Sequence, residues 1–199
     1  MEIADTYQFS FFRKPILNTE PLRAVGIVDI YRYIIGHYAE LPTATLRKFT
    51  NKEEAKRYKA AHFDYCTFSG LFRKRREDDL LMHSGLMCID FDHVADLDGL
   101  KHRLLKDDYF DTELMFVSPS GDGLKWIVPV DLQGMKHSCF FKAMTNYLAY
   151  KGYPKVDMSG SDVARSCFLP HDPDAYINPK YKEYVKENVF RPRMGECPF

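Results

Sequence analysis

Two aspartates at the end of an apolar segment are the strongest chemical signal in the sequence. Asp90 and Asp92 follow the apolar residues 86–89 and are two positions apart. In a β-strand, residues i and i+2 point to the same face, so both carboxylates should converge there. Two like charges held side by side repel each other unless protons or a cation neutralise them, and a hard divalent ion with oxygen ligands does this best. The pair predicts a Mg²⁺ or Mn²⁺ site, although two acids after a strand are equally compatible with a solvated turn.

A segment rich in serine and glycine at residues 117–125 is the second candidate site. It contains Ser118, Ser120 and Gly121, and it ends at Lys125. Glycines let backbone N–H groups approach an anion, and hydroxyl and ammonium groups donate to phosphate oxygens. The spacing is not that of a P-loop, which requires Gly-Lys-Ser/Thr at the start of a helix. The composition predicts either a phosphate-binding turn or a tight hairpin turn.

The third segment, residues 156–165, contains a further acid and a further cation. Asp157 follows an apolar residue, as Asp90 does, and could supply a third carboxylate. Arg165 opens a strand that otherwise consists of buried residue types. Its guanidinium group is expected either to pair with Asp162 or to bind a ligand phosphate.

Hydrophobic periodicity places these segments on alternating strands and helices. Helical spacing occurs at residues 22–40, 52–61, 96–106 and 137–151, and apolar runs of strand length occur at 86–91, 113–118, 125–130 and 165–169. The turn residues at 119–123 predict a hairpin between the second and third of these strands. Such an order predicts α+β or α/β architecture, with helices covering a mixed sheet.

Composition limits the class of protein. The chain has 199 residues, of which 45% are hydrophobic and 28% charged, as expected for one compact domain. Basic and acidic residues number 28 each, so a site for a polyanion must come from local clustering. Five scattered cysteines without a C-x-x-C pair indicate buried thiols in a reducing cytoplasm. Because no apolar stretch of about 18 residues and no leader pattern is present, we expect a soluble cytoplasmic protein without membrane contact.

The three segments, in this order, resemble the VirE N-terminal domain family of mobile-element proteins, which is similar to the archaeo-eukaryotic primase (prim-pol) superfamily. The resemblance covers most of the chain from about residue 68 to residue 179. It rests on Ile89-Asp90-Phe91-Asp92, on Ser118-Pro119-Ser120-Gly121-x-Gly123-Leu124-Lys125, and on Asp157 with Asp162-Val163-Ala164-Arg165-x-Cys167-Phe168 and Asp172-Pro173. It implies an α+β fold with a primase-like (RRM-like) mixed β-sheet core, and a metal-dependent nucleotidyltransferase acting in the replication of a mobile element.

The resemblance also implies roles for individual residues. The D-x-D pair and the later aspartate of the superfamily bind the catalytic metal ions, so Asp90, Asp92 and Asp157 are the expected ligands of Mg²⁺ or Mn²⁺. The expected contacts to a nucleoside triphosphate are Ser118, Ser120, Gly121, Lys125 and Arg165. Lys125 occupies the position at which the superfamily motif, Ser-x-His, has histidine. A lysine can stabilise a triphosphate as a point charge, but it lacks the tunable proton of an imidazole.

A single-stranded DNA template would require a positive groove. The candidates are the basic run at residues 73–76, which consists of Arg73, Lys74, Arg75 and Arg76, and the lysines at 48, 52, 56 and 59. Phe68 and Phe72 are available for base stacking, although core packing is the more ordinary role of such residues. Acidic residues follow the basic run, and such sequences also form solvated loops.

We expect one domain over residues 1–177. Residues 178–199 are polar and lack apolar periodicity, which is typical of a tail or linker. The resemblance implies that this segment leads to a helicase-like ATPase domain in a longer chain, since the 199 residues contain no Walker motif.

Two alternative functions stay open. Lys125 in place of histidine favours a non-catalytic nucleic-acid- or nucleotide-binding module attached to a helicase-like ATPase. A metal-dependent nuclease would use the same acidic residues to cut a strand, and residue spacing does not separate it from a polymerase.

Overall fold

The computed structural model describes residues 7–187, which form ten β-strands and six α-helices. The strands are β1 (Phe9–Phe12), β2 (Arg23–Val25), β3 (Tyr65–Thr67), β4 (Gly70–Phe72), β5 (Leu80–His83), β6 (Leu86–Phe91), β7 (Leu114–Val117), β8 (Leu124–Pro129), β9 (Cys167–Phe168) and β10 (Tyr176–Ile177). The helices are α1 (Ile27–Ile35), α2 (Glu40–Leu46), α3 (Lys52–His62), α4 (Leu97–Leu104), α5 (His137–Tyr150) and α6 (Lys182–Glu187). None of these helices has the length and apolarity needed to cross a membrane.

The strands form two antiparallel sheets and a hairpin. One sheet has the order β2-β1-β3-β9, the second has the order β10-β7-β8-β6, and β4 pairs with β5. Because helices and antiparallel sheets are combined in this way, the predicted α+β class is confirmed. The sheets are not mixed as predicted, since every strand pair in residues 7–187 is antiparallel. β6 and β7 run in the same direction but do not pair with each other, because β8 lies between them.

The second sheet is built on a split β-α-β unit. The chain runs through β6, α4, β7, β8 and α5, and then returns to β6, where Val156 forms an antiparallel bridge with Phe91. The spatial order is therefore the Val156 segment, β6, β8 and β7, which is the arrangement of a β-α-β-β-α-β fold. In this arrangement the end of β6 and the segment after Val156 are neighbours, although they are far apart in sequence.

Burial of β6 on both faces sets the direction of its side chains. Met87, Ile89 and Phe91 pack in the apolar cluster that also contains side chains of α4 and α5. Leu86 and Cys88 face the other cluster, which includes side chains of the first sheet and α1. Since side chains alternate along a strand, Asp90 points to the same side as Cys88.

The helix predicted at residues 22–40 is wrong at both ends, since α1 spans only Ile27–Ile35. Residues 23–25 form β2, which pairs with β1, and α1 begins only at Ile27. Local spacing could not show this, because the partner strand comes from earlier in the chain. The other predicted elements are confirmed within a few residues: α3, α4, α5, β6, β7, β8, the β7–β8 hairpin and a shorter β9.

The domain continues past residue 177, where the sequence predicted its end. Tyr181 is 1% exposed, and its hydroxyl donates to a carboxylate oxygen of the buried Glu113 at 2.6 Å. The Asn178 amide donates to the carbonyl of Thr112 at 3.0 Å. These contacts bury an aromatic ring and satisfy a buried acid, so residues 178–187 pack on the domain. The rest of the predicted tail, residues 188–199, lies outside the described residues.

Candidate functional site

Three carboxylates meet where β6 ends, and we call them the acid cluster: Asp90, Asp92 and Asp157. One carboxylate oxygen of each lies within 4.8 Å of the others. Within residues 7–187, this is the only such group of three or more acidic, histidine or cysteine side chains. The backbone explains the convergence, because the Asp157 N–H donates to the Asp90 carbonyl at 2.9 Å, next to the Val156 bridge. The structure thus brings together the three acids that the sequence singled out.

A tight turn orients Asp157. Its side chain caps the 3-10 turn Met158–Ser161 by accepting hydrogen bonds from the backbone N–H of Ser159, at 3.0 Å, and from the Ser159 hydroxyl. Burial alone would raise the pKa of Asp157. The hydrogen bonds from Ser159, with the positive charges of Arg165 and Lys125, lower the pKa below its ordinary value. Asp157 is therefore held as a charged carboxylate.

Asp90 is paired directly with Lys125 across the sheet. The two residues are register partners in β6 and β8, and the Lys125 ammonium group donates to Asp90 Oδ2. The side chains are only 16% and 13% exposed, respectively. Burial raises the pKa of Asp90, Lys125 counteracts this, and the overall shift is upward. Burial would lower the pKa of Lys125, but the negative charge of Asp90 raises it overall.

The second oxygen of Asp90 supports a fit to a metal ion. Asp90 Oδ1 is buried and has no hydrogen-bond partner among the described residues. A buried carboxylate oxygen without a partner is costly, and a cation would satisfy it. Carboxylates are the ligands that Mg²⁺ and Mn²⁺ prefer. Asp90 Oδ1, together with Asp92 and Asp157, could therefore hold one of these ions.

The turn between β7 and β8 is locked by its own hydrogen bonds. The Ser118 hydroxyl is buried and accepts from the N–H of Gly123 at 3.2 Å, and the N–H of Gly121 donates to the Ser118 carbonyl at 2.9 Å. Gly121 has φ +89°, which a residue with a side chain rarely adopts. Ser118 and Gly121 thus maintain the turn, and Ser120 is exposed.

The same turn approaches the acid cluster closely. A Cβ atom at Gly123 would lie 2.7 Å from the Phe91 carbonyl oxygen and 3.4 Å from Asp92 Oδ1. Glycine is required here because the backbone of the turn lies against the end of β6. The second and the first candidate segments therefore belong to one site.

Arg165 contacts the acid cluster rather than Asp162. Its Nη2 atom is 3.5 Å from Asp157 Oδ2, and the side chain is 52% exposed. The Asp162 carboxylate instead accepts from the backbone N–H of Ala164 at 2.9 Å. Arg165 also lines a cleft, together with Asp90, Lys125, Cys88, Cys167 and Ser159.

The cations of the basic run (residues 73–76) contact groups of the domain itself. Arg73 and Arg76 both pair with Asp79, and Lys74 pairs with Glu20. The Arg75 guanidinium group donates to the Tyr65 hydroxyl at 3.2 Å and to the Ile16 carbonyl at 3.1 Å. Each of these four cations has a partner within the domain.

The two phenylalanines considered for base stacking are buried. Phe68 is 1% exposed and Phe72 is 3% exposed. Phe68 packs in the core shared by the two sheets, and Phe72 packs with Val163 and Ala164. The stacking role is wrong because neither ring is accessible, and the ordinary role in the core is the one that the structure has.

Three further residues at the site were missed or not distinguished by sequence reasoning. Asp172 is buried, and its carboxylate accepts from the Val117 N–H at 2.7 Å, which fixes the start of the β7–β8 turn. Arg47 donates to the Pro119 carbonyl at 3.3 Å. Lys59 interacts electrostatically with Asp90 and Asp92. The Asp172-Pro173 motif in the sequence was a signal for the role of Asp172. Arg47 and Lys59 gave no such signal, because other basic residues surround them in the sequence.

Comparison with known proteins identifies a family but no activity. Residues 49–177 match the model of the family described as BT4734-like, N-terminal domain. No curated protein and no solved structure is significantly similar to the chain. The matched region includes α3, the second sheet and all of the acid cluster. Because the match spans more than half of the 199 residues, the chain belongs to the BT4734-like N-terminal domain family.

Proposed function

We propose that this domain is a primase- or polymerase-like nucleotidyltransferase that binds Mg²⁺ or Mn²⁺ and a nucleoside triphosphate. The observation that carries the proposal is the convergence of Asp90, Asp92 and Asp157 at the ends of two neighbouring segments of an RRM-like sheet. The buried oxygen of Asp90 that has no partner adds to it. The resemblance to the prim-pol superfamily supplies the reaction class, which the geometry alone does not.

The roles of the chain's own residues follow from their contacts. A divalent ion bound by Asp90, Asp92 and Asp157 would act as a Lewis acid on phosphate oxygens and lower the pKa of a 3′-hydroxyl group. Lys125 holds Asp90 in one orientation through their ion pair. Ser159 does the same for Asp157 through two hydrogen bonds. The exposed part of Arg165 faces the cleft, where it can bind a phosphate.

The charge balance of the site favours a substrate that brings its own negative charge. Lys125 and Arg165 each contact one member of the acid cluster, so they offset two of its three negative charges. The one remaining negative charge does not balance a divalent ion. The phosphates of a nucleoside triphosphate would supply the missing negative charge, as they do at magnesium sites that bind metal and substrate together.

The biological setting is proposed from the resemblance. It comprises replication of a mobile element on a single-stranded DNA template in the cytoplasm, with a helicase-like domain in the same longer chain. Such a setting is consistent with the absence of a membrane-crossing helix in residues 7–187.

A second candidate function is a non-catalytic module that binds nucleotide or nucleic acid. The specific observation in its favour is the Lys125–Asp90 ion pair, since a lysine already occupies one oxygen of a principal metal ligand. A bound ammonium group reduces the negative charge available to a metal ion. The module would then bind a nucleotide with weak or no turnover.

Primer extension distinguishes these functions. A fluorescent primer on a single-stranded template is incubated with Mg²⁺ or Mn²⁺ and each nucleotide pool. We expect the wild type to extend the primer and Asp92→Asn to lose the activity by at least about a hundredfold, because metal-site contributions to catalysis are of this order or larger. Asp92 suits the test since it is exposed and has no ion pair among the described residues.

Asp98→Asn is the matched control. Asp98 is an exposed acid in α4 whose only described ion pair is with Lys101, so its loss should leave extension unchanged. No extension by the wild type, alongside Mn²⁺ binding that depends on Asp92, would favour the non-catalytic module. Shortening of the primer would favour a nuclease, and no metal binding would contradict both metal-dependent functions.

A further inference from the structure

A lysine whose charge interacts with the acid cluster has its ammonium group over an aromatic ring. The Lys59 ammonium group, in α3, is 5.8 Å from the centroid of the Phe168 ring. It makes no hydrogen bond or ion pair with any of the described residues. The side chain is half-buried. This contrasts with Lys125 and Arg165, which each contact a carboxylate of the cluster.

The charges that act on Lys59 are those of the acid cluster and of the residues around it. Burial lowers the pKa of Lys59, and the nearby positive charge of Lys125 lowers it further, while Asp92, Asp90 and Asp122 raise it. The net shift is downward, so the protonated lysine is not fully stabilised by the protein alone. An anion in contact with the ammonium group would restore that stabilisation.

A second cation lies against the β7–β8 turn. Arg47, at the end of α2, donates through Nε to the Pro119 carbonyl at 3.3 Å, and its side chain is exposed. A Cβ atom at Gly121 would be 3.1 Å from the same Nε atom, so the guanidinium group lies directly on the turn. The Pro119 carbonyl uses one nitrogen of the guanidinium group, which has further N–H donors.

The turn itself offers few donors to an anion. The N–H groups of Gly121 and Gly123 are both occupied by Ser118. The predicted cation of this segment, Lys125, is occupied by Asp90. Polyanion binding next to the acid cluster therefore needs cations from outside the segment, and α2 and α3 provide them.

We propose that Lys59 and Arg47 bind the β- and γ-phosphates of a nucleoside triphosphate whose metal ion is held by the acid cluster. This inference rests on the proposed function and assigns the polyphosphate to the α2–α3 side of the turn. Lys125 is then a positioning residue for Asp90, and the phosphate contacts expected of it fall to Lys59 and Arg47. The recognised chemistry is a magnesium-bound polyphosphate.

Calorimetric titration of the whole chain with inorganic tripolyphosphate in the presence of Mg²⁺ tests the assignment. We expect Lys59→Gln to weaken binding about tenfold, because a charge-assisted hydrogen bond is lost. Lys59→Arg should retain affinity within about threefold, since it keeps the charge. Lys106→Gln, at an exposed lysine just after α4, is the matched control and should bind as the wild type does. Arg47→Gln should weaken binding several-fold, and the variant should fold as the wild type does because the Arg47 side chain is exposed.

Mn²⁺ binding without tripolyphosphate separates this inference from the proposed function. Lys59→Gln should bind Mn²⁺ as tightly as the wild type or more tightly, because a nearby positive charge is removed. If the wild type binds Mg²⁺-tripolyphosphate in a way that depends on Asp92, but Lys59→Gln and Arg47→Gln bind it equally well, the inference is overturned and the proposed function stands. If the wild type does not bind it at all, the inference is overturned, and primer extension decides the proposed function independently.

Discussion

The acid cluster and the basic run are both dense in charge, but only the acid cluster keeps a group without a partner. The cations at residues 73–76 contact Asp79, Glu20, Tyr65 and a backbone carbonyl. In the acid cluster, three like charges are held together and Asp90 Oδ1 is buried without a hydrogen bond. Charge density alone therefore does not mark a site. A charged group that the fold leaves without a partner does mark a site, because a ligand that contacts this group lowers the free energy of the folded protein.

The largest effect on stability should come from removing Lys125, the cation that pairs with Asp90 of the acid cluster. Lys125→Met leaves the carboxylate of Asp90 buried and unpaired, so the free energy of unfolding should fall by about 2–4 kcal/mol. Lys74→Met in the basic run breaks an exposed ion pair with Glu20 and should cost less than about 0.5 kcal/mol. Urea denaturation without metal measures both. Equal stabilities of the two variants would show that the Asp90–Lys125 pair does not differ energetically from a surface pair.

Added Mn²⁺ should stabilise these proteins by different amounts. A metal ion that binds only the folded protein raises its stability, and it would replace the lost ammonium group beside Asp90. We expect Mn²⁺ to stabilise Lys125→Met more than the wild type or Lys74→Met, as measured by the shift in the thermal midpoint. An identical shift in all three proteins would contradict metal binding through Asp90.

An intermediate effect is expected from pH. Metal binding requires the charged carboxylate of Asp90, and its pKa is raised because burial outweighs the effect of Lys125. Protons should therefore displace Mn²⁺ at a higher pH than for an ordinary aspartate, whose pKa is about 3.9. In Lys125→Met the midpoint should move to a still higher pH, because the cation that opposes the rise is gone. Titration of Mn²⁺ binding against pH measures this, and a midpoint unchanged by the substitution would contradict it.

The smallest effect should be on DNA binding by the basic run. Arg73→Ala combined with Lys74→Ala removes two cations that already have acidic partners. The affinity for a single-stranded oligonucleotide should therefore change less than about twofold at moderate salt, since few counterions would be released at these positions. Fluorescence anisotropy is a suitable measurement. A loss of tenfold or more, with a reduced dependence on salt, would restore the basic run as the template groove.

Prediction from the sequence succeeded where the determining interactions are local. The caps of α3 and α4 are Asn51 and Asp96, each hydrogen-bonded to a backbone N–H two or three residues later. The apolar run of β6 and the turn between β7 and β8 are likewise visible over a few positions. Prediction failed for β2 and for residues 178–187, because their partners, β1 and Glu113, are distant in sequence.

The sequence by itself determined the chemical content of the site: an acidic pair at the end of a buried strand, a third aspartate, and a glycine-rich turn. Only the tertiary structure decided which charges meet. The register of β6 against β8 pairs Lys125 with Asp90, and the Val156 bridge brings Asp157 and Arg165 to the same place. The end of α2 places Arg47 on the turn, and α3 brings the charge of Lys59 within electrostatic range of Asp90 and Asp92. The physical reason is that charge neutralisation depends on distances of a few ångströms between segments far apart in the chain, which no local pattern of residues encodes.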